Sequence, residues 1–185
     1  MIPFQLFLLF FCAVCLTAAG SVLIYARKQE LLSRWEKIPR AKHAGTVLCA
    51  IVIFWCIPNL KPILDSGPDS SDWWMYCLAV IAVILCSCWL DYLFARSLAA
   101  FLVLTAHFFL KESFAVNVFP YSACFAVMLF LLGICGMAIA VHPYWFRDWI
   151  RLLFRNVRIR IASAAFLILT ALSGLLVSLA AFRLK

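Results

Sequence analysis

The segment from residue 142 to residue 160, HPYWFRDWIRLLFRNVRIR, restricts the folds open to this chain more than any other. It holds five arginines and one acid, and it lies between two long apolar runs. Moving several guanidinium groups through hydrocarbon is costly, so such a segment is expected to stay on the cytoplasmic side of a membrane. This assignment orients the rest of the chain relative to the bilayer.

The composition indicates a membrane protein with a single domain. Hydrophobic residues make up 67% of the 185 residues and charged residues 13%, whereas soluble domains are about 45–50% apolar and about a quarter charged. The excess collects in runs near or above the ~18 residues expected of a membrane-spanning helix. The net charge of +8 is therefore interpreted as the positive-inside bias and attraction to anionic headgroups, and no nucleic-acid partner is predicted.

The nine cysteines all lie inside apolar runs. In a membrane helix, cysteine acts as a small, soft hydrophobe, whereas a disulfide framework would place cysteines in exposed connections. Cys12 and Cys15 form a C-x-x-C pair, but the βαβ context of a thioredoxin-like site is missing. The cysteines are thus predicted to pack and not to carry redox chemistry.

Residues 2–25 form the first apolar run. No basic segment precedes this run and no cleavage-site pattern follows it, so it is predicted to be an uncleaved span and not a signal peptide. The next segment, residues 26–43, is rich in lysine and arginine. Leu31, Leu32 and Trp35 share a helical face there, which predicts a short interfacial helix that ends at Pro39.

Residues 74–110 form an apolar run that contains neither glycine nor proline. At about 1.5 Å per residue, one helix of this length would far exceed the ~30 Å hydrocarbon core. A single span would also place residues 142–160 on the same side as the acidic loop, residues 64–72. We therefore expect two spans with a tight turn around Asp91 to Arg96, although no typical turn residue marks it.

The predicted fold class is all-α, a polytopic integral membrane helical bundle of six transmembrane helices with two basic interfacial segments. Both termini lie outside, and twelve of the sixteen lysines and arginines lie inside. The expected location is a prokaryotic plasma (inner) membrane. Residues 1–185 form one membrane domain. Its predicted spans are residues 2–25, 44–62, 74–92, 96–110, 121–141 and 161–182.

Two spans contain nearly the same octapeptide. Residues 99–106 read AAFLVLTA and residues 164–171 read AAFLILTA, and each copy follows an arginine at the start of a span leaving the inner face. The match suggests a duplicated hairpin, with residues 74–110 as one copy and residues 121–182 as the other. Repeats of this kind build some transporters. The alternative is a chance match, because apolar segments draw on few residue types.

The long apolar run contains two charges, Asp91 and Arg96. An ionisable residue inside a membrane suggests function by default, but the predicted threading places both at the inner boundary, where a local ion pair or snorkelling suffices. His107, near the outer end of the fourth span, is the third polar candidate. His43 and His142 could in principle meet around a haem, but their place beside the basic segments explains them without a cofactor.

Two further sets of residues are candidates for binding and for packing. Basic segments at a membrane surface attract anionic headgroups or an acidic partner, and small residues at every fourth position let helices approach closely. The basic candidates are Arg147, Arg151, Arg155, Arg158 and Arg160. The packing candidates are Gly136, Ala140, Thr170, Gly174 and Ser178.

The sequence carries no H-E-x-x-H, no G-x-S-x-G and no glycine-rich phosphate loop. These absences favour a non-catalytic subunit or scaffold of a membrane complex, without a cofactor and without enzymatic activity. Its expected partners are a bilayer with anionic headgroups and other membrane proteins or a second copy. One alternative is a small-solute or ion transporter or channel, which the repeat favours. A second alternative is a haem or redox membrane subunit.

Overall fold

The structure is a computed structural model that describes residues 2–26, 29–64, 73–115 and 122–183. These residues form eight α-helices and two 3₁₀ turns, Gln29–Leu31 and Ile38–Arg40, and no strand. The acidic loop predicted at residues 64–72 lies almost wholly outside the described residues, as does part of the outer loop before residue 121. The helices are α1 Ile2–Tyr25, α2 Leu32–Trp35, α3 Lys42–Leu64, α4 Trp73–Trp89, α5 Leu93–Ala115, α6 Ser122–Val141, α7 Pro143–Arg155 and α8 Val157–Arg183.

The six long helices, α1, α3, α4, α5, α6 and α8, run alternately up and down. The end of α1 meets the start of α8, where Arg160 donates from Nη1 to the carbonyl oxygen of Ala26 at 3.1 Å. The starts of α3 and α5 lie side by side, and Ser97 Oγ donates to the carbonyl oxygen of Gly45 at 3.3 Å. The start of α3, the start of α5 and the start of α8 are therefore at one end of the bundle, which we call the basic end.

The main core lies between α1, α5, α6 and α8. Phe109 is fully buried at its centre, and its ring centroid lies 5.3 Å from that of Phe7, 5.1 Å from Phe11 and 6.0 Å from Phe125. Aromatic rings at these separations add attraction beyond the area that they bury. The interior between these four helices is therefore packed with ring and aliphatic side chains.

Helix α4 lies at the edge of the bundle. It packs against α3, and only Met75 and Ala79 on it are buried. These two residues and Ile57 of α3 form a small separate cluster. At the end of α4, Trp89 is 85% exposed. A helix that is apolar all round but buries so little is suited to an apolar surrounding.

Four helices are long and apolar enough to cross a membrane by themselves: the described segments Phe4–Tyr25, Leu93–Glu112, Ala123–Val141 and Val157–Leu179. Segments Leu32–Arg40 and Lys42–Pro58 pass the same test only together, across a bend of 48°, and Trp73–Trp89 is shorter. By length and composition, the described part of the chain therefore supplies four candidate spans, or five if the bent pair is one span.

The long apolar run breaks at residues 90–92, between α4 and α5. Tyr92 adopts a left-handed conformation with φ of 57°, which L-residues other than glycine and asparagine seldom adopt. The observed break begins one residue before the predicted turn, which was placed around Asp91 to Arg96. It also ends earlier, because α5 begins at Leu93 and already includes Arg96. A left-handed tyrosine explains how the chain turns without a typical turn residue.

The predicted interfacial helix at residues 26–43 is shorter than expected. Only Leu32–Trp35 is α-helical, with a 3₁₀ turn on each side. Pro39 is buried inside the second turn and does not end a helix. Proline fixes its own φ and lacks an N–H, and a 3₁₀ turn tolerates it near its start. The shared apolar face was predicted correctly, since Leu31, Leu32 and Trp35 all pack on one cluster.

The two matching octapeptides have the same buried positions but different surroundings. Ala99, Thr105 and Ala106 are buried in α5, and their counterparts Ala164, Thr170 and Ala171 are buried in α8. However, α4 packs against α3, whereas α6 packs against both α5 and α8. Helix α7 separates α6 from α8, and only a three-residue turn separates α4 from α5. The duplication stays a prediction.

Candidate functional site at the basic end

Helix α7 has three faces. Its buried face consists of Phe146, Ile150, Leu153 and Phe154, of which Phe146 is half-buried. Its exposed apolar face consists of Trp145, Trp149 and Leu152. At about 100° per residue, Arg147, Arg151 and Arg155 share the third face. A helix with these faces can pack on a bundle, contact lipid headgroups and present charge together.

The buried face of α7 joins the segment around α2. Ile150 and Phe154 form a cluster with Ala26 at the end of α1, and Leu31, Leu32 and Trp35 pack against it. The ring centroids of Trp35 and Phe154 are 6.0 Å apart, with an edge-to-face geometry. We call α2, the Ile38–Arg40 turn and α7 the basic platform. Its two halves are distant in the chain, and this apolar joint holds them together.

A single close ion pair crosses the outside of the platform. Arg151 donates from Nε to Glu36 Oε1 at 2.8 Å and from Nη2 to Oε2 at 3.4 Å. These hydrogen bonds hold the pKa of the Glu36 carboxylate below its ordinary value, and the charge of nearby Arg147 acts in the same direction. They also raise the pKa of Arg151. Both side chains are substantially solvent-accessible, so the pair is screened and fixes geometry more than it stabilises the fold.

A cleft of about 610 Å³ opens between the two halves of the platform. Its basic residues are Lys37, Arg40, Arg147 and Arg151, and its one acid is Glu36. Asp148 lies beside it, with Oδ1 3.7 Å from Arg147 Nε and 3.7 Å from Arg151 Nη1. Four positive charges therefore line a cleft that contains one carboxylate and has a second at its edge. Such an arrangement attracts anions.

Arg147 has a donor without an acceptor. Its Nε is buried and makes no hydrogen bond among the described residues, because 3.7 Å to Asp148 is an ion-pair distance too long for a hydrogen bond. A buried donor without a partner is a cost to the fold. The part of Arg147 that a ligand can reach is the exposed portion of its side chain, which lines the cleft. Lys37 is exposed and forms no ion pair with a described residue.

Arg40 connects the cleft to the turn between α4 and α5. Its Nη2 donates to the hydroxyl of Tyr92 at 2.7 Å, and its guanidinium lies 5.1 Å from the centroid of the same ring. The sequence interpretation missed Glu36, Arg40 and Tyr92 as a group. The signal was weak, since no local pattern relates residue 36 to residue 151 or residue 40 to residue 92.

Asp91 and Arg96 are both exposed, and no ion pair within 4.0 Å joins them in the structure's described part. Asp91 instead lines a second, open hollow of about 420 Å³ with Arg40, Lys42 and Tyr92. Their position at the basic end places both charges among the polar residues of the platform and its turn. Neither charge lies in the middle of a long helix, since Asp91 precedes α5 and Arg96 is in its first turn.

The remaining arginines of residues 142–160 do not line the cleft. Arg155 and Arg158 are exposed, and Arg160 is half-buried because its guanidinium caps the end of α1 through the carbonyl oxygen of Ala26. A cation is favourable at this C-terminal end of a helix, where carbonyl oxygens are unpaired. The five arginine candidates therefore separate into two cleft residues, two exposed residues and one helix cap.

The small residues lie mainly at helix contacts. A Cβ added to Gly174 would lie 2.7 Å from Cys12 Sγ, and one added to Gly136 would lie 3.0 Å from the carbonyl oxygen of Ala99. Thr170 and Ser178 share the buried face of α8. Ala140 is exposed and takes no part in this interior packing. The stripe on α8 therefore contacts α1, and the glycine of α6 contacts α5.

The three histidines have different surroundings. His142 lies against its own neighbours, 3.2 Å from the Tyr144 hydroxyl and 4.7 Å from the Trp145 ring centroid. His43 and His107 are exposed. No group of three or more metal-ligand side chains occurs within residues 2–26, 29–64, 73–115 and 122–183. The nine cysteines are free, with Cys12, Cys15 and Cys49 buried.

No protein-family model, curated protein or solved structure matches this chain.

Proposed function

We propose that this chain is an integral membrane protein whose six long helices all cross the bilayer, with the basic end on the cytoplasmic side of a prokaryotic plasma (inner) membrane. Support comes from the alternating helix directions, which gather the start of α3, the start of α5 and α7 at one end. Twelve of the sixteen lysines and arginines belong to segments at that end. Four of these helices are long and apolar enough to cross by themselves, and α3 and α4 supply the other two crossings. Both termini then lie outside.

Within the membrane, the protein works as a non-catalytic subunit or scaffold that contacts other membrane proteins. The observation that carries this proposal is the packed interior: Leu8, Phe109, Phe125 and Leu129 are fully buried where α1, α5 and α6 meet. A solute pathway needs a continuous line of polar groups or water, and this interior is filled mainly with aromatic and aliphatic side chains, among which the buried polar residues such as Thr105 and Thr170 are few. Recognition therefore takes place on outer surfaces, namely the exposed apolar face of α4 and the basic platform.

The proposed orientation is tested by accessibility labelling. A cysteine replaces Asn156 in a chain whose nine native cysteines are changed to serine or alanine, and an impermeant maleimide is added to intact cells. We expect labelling only after the membrane is opened, since Asn156 lies between α7 and α8 at the basic end. Labelling from outside would overturn the orientation. If that variant does not accumulate, reporter fusions after Arg155 and at the C-terminus give the same information.

The scaffold function is tested by flux and by crosslinking. Purified protein in liposomes should move no ion or small solute above protein-free vesicles, and a flux abolished by Asp91→Asn would establish a transporter instead. A photo-crosslinking residue at Leu85, on the exposed face of α4, should join the protein to a defined neighbour in native membranes. The matched control carries the photo-crosslinking residue at the buried Ala79 and should give little crosslinked product. Equal yield at both positions would contradict a docking role for the exposed face.

A further inference from the structure

The cleft of the basic platform has features of a built site, beyond a surface that happens to be basic. Its walls come from two segments that are more than a hundred residues apart in the sequence. Two interactions join these walls: the Trp35–Phe154 ring contact and the Arg151–Glu36 hydrogen bonds. Arg40 is held separately by Tyr92 in the turn between α4 and α5. A preorganised cleft loses less conformational freedom when it binds than separate flexible side chains would lose.

The charges inside the cleft are only partly neutralised by the protein itself. Glu36 is taken by Arg151, and Asp148 lies at 3.7 Å from both Arg147 and Arg151. Arg147 lines the cleft with a partly exposed side chain whose Nε lies 3.7 Å from Asp148, and Lys37 remains without an ion partner among the described residues. Two cationic side chains from opposite walls thus retain unused hydrogen-bonding capacity. A phosphate group, with several acceptor oxygens and negative charge, matches both.

The cleft also lies at the depth of lipid headgroups if the proposed membrane orientation is correct. On α7 the exposed Trp145, Trp149 and Leu152 form a face separate from the arginines, and indole rings favour the headgroup region. The same helix therefore carries a face suited to lipid and the arginines that line the cleft. Since a lipid phosphate is held at this depth already, it reaches the cleft without leaving the bilayer.

We infer that the cleft between α2, the Ile38–Arg40 turn and α7 binds the phosphate of one anionic phospholipid headgroup, with Arg147 and Lys37 as its main contacts. This inference rests on the orientation given under the proposed function. It does not rest on the scaffold role, because a lipid can occupy the cleft whatever the protein does. Arg151 is occupied by Glu36 and acts mainly to position the walls.

The inference is tested by lipid titration of the purified protein in detergent, with bound lipids counted by native mass spectrometry. Wild-type protein should bind a first phosphatidylglycerol more tightly than phosphatidylcholine. The variant Lys37→Gln with Arg147→Gln should weaken that first binding about tenfold or more, as expected for loss of hydrogen bonds to a charged group. The control Arg155→Gln with Arg158→Gln removes the same charge outside the cleft and should change it about twofold or less. Equal weakening in both variants would overturn the inference.

A second variant keeps the inference falsifiable if the double glutamine variant does not fold. Ser33 is exposed at the rim of the cleft, so Ser33→Glu adds a negative charge there without disturbing a buried contact. It should weaken binding of phosphatidylglycerol and leave phosphatidylcholine unchanged. Unchanged binding of both lipids in a folded Ser33→Glu protein would contradict the site.

Two soluble competitors separate a lipid from other sources of negative charge. Glycerol 3-phosphate at the concentration of the lipid should not displace phosphatidylglycerol, because it lacks the acyl chains that hold the phosphate at the cleft. Displacement at equal concentration would assign the cleft to a free phosphate compound. Polyglutamate should also fail to displace the lipid, and displacement that depends on Lys37 and Arg147 would assign the cleft to an acidic protein segment.

Failure of this test is distinguishable from failure of the proposed function. Loss of the lipid preference with normal cytoplasmic labelling at residue 156 would remove the site and keep the orientation. Solute flux in liposomes with an intact lipid preference would remove the scaffold role and keep the site.

Discussion

The seam between α3 and α5 and the joint between the halves of the basic platform both connect distant segments, but with different chemistry. At the seam, Gly45 brings two backbones together: an added Cβ would lie 2.7 Å from the nitrogen of Phe94. At the joint, the ring of Trp35 and an accessible ion pair make the contact. The seam depends on the absence of side-chain atoms, whereas the joint depends on side chains that can move.

Because of this difference, the seam between α3 and α5 must be rigid, whereas the side chains at the basic platform can respond to a ligand. Close approach of two backbones leaves no way to absorb an extra atom, so the seam has one arrangement. Side chains make the joint, so the charged groups beside it, Arg147 and Lys37, can adjust to a phosphate while the Trp35–Phe154 contact keeps the walls in place. Four substitutions, given from the largest expected effect to the smallest, test how far this contrast holds.

Gly45→Ala should destabilise the protein by about 3 kcal/mol, because the added carbon meets backbone atoms that cannot rotate away. The matched control is Gly20→Ala in α1, where nothing lies within 4 Å of the added carbon. That change should stabilise by about 0.5–1 kcal/mol through helix propensity. Unfolding in detergent, followed by circular dichroism, measures both. Similar changes in stability for the two variants would show that the close approach of α3 and α5 at Gly45 does not limit side-chain size.

Trp35→Ala should cost about 2 kcal/mol, because it removes a half-buried ring from the cluster around Ile150 and Phe154. The same change at Trp89, which is 85% exposed, should have almost no effect on stability in detergent. If both tryptophans were equally dispensable, the two halves of the platform would be held together by something other than this joint.

Glu36→Gln should lower the stability of the folded protein at neutral pH but not in acid. The native pKa of Glu36 is lowered from an ordinary value of 4.5, so its contribution is present above that value and disappears as the pH falls through the native pKa. The melting temperatures of wild type and variant should therefore differ at neutral pH and converge once the pH lies below the native pKa of Glu36. Glu30→Gln, at an exposed position nearby, is the control. A difference that persists in acid would assign the effect to packing.

Tyr92→Phe should have the smallest effect, less than about 1 kcal/mol, because it deletes the hydroxyl that accepts from Arg40 but keeps the ring beneath the guanidinium. Tyr76→Phe on the exposed side of α4 supplies the comparison. The expected readout is a slight decrease in melting temperature for the first and none for the second. A large loss at Tyr92 would mean that the platform and the turn depend on a single hydrogen bond.

The helical fold class was accessible from the sequence because apolar runs between basic segments leave few alternatives. The position of each long helix follows from the same runs. The break within residues 74–110 was predicted by counting the arginines on each side of the membrane. The all-helical fold was confirmed by the structure, and four helices have the length and apolarity of a span. Whether α3 and α4 also cross stays a prediction, since α4 has 17 residues.

The site was less accessible, for two physical reasons. Helical periodicity assigns residues to a face but does not say which part of the apolar side of α7 meets the bundle. Pairing across long sequence distance is invisible to local patterns, so neither the Arg151–Glu36 pair nor the Arg40–Tyr92 contact was predicted. The proposed lipid contacts Arg147 and Lys37 lie on two walls that the Trp35–Phe154 contact and the Arg151–Glu36 pair hold together.

The left-handed Tyr92 has a consequence for how the chain enters a membrane during synthesis. Residues 74–110 contain no glycine or proline to mark the turn, and only Asp91 and Arg96 oppose insertion as one continuous helix, so contacts with other parts of the chain can help to set the turn. In the orientation proposed above, Arg40 is synthesised earlier and lies at the cytoplasmic surface when Tyr92 emerges. We expect Arg40→Ala chains to insert partly with a single long helix, which would invert every later segment. Protease protection of residues 142–160 in freshly made vesicles would reveal that inverted fraction, and its absence would show that the turn forms without the arginine.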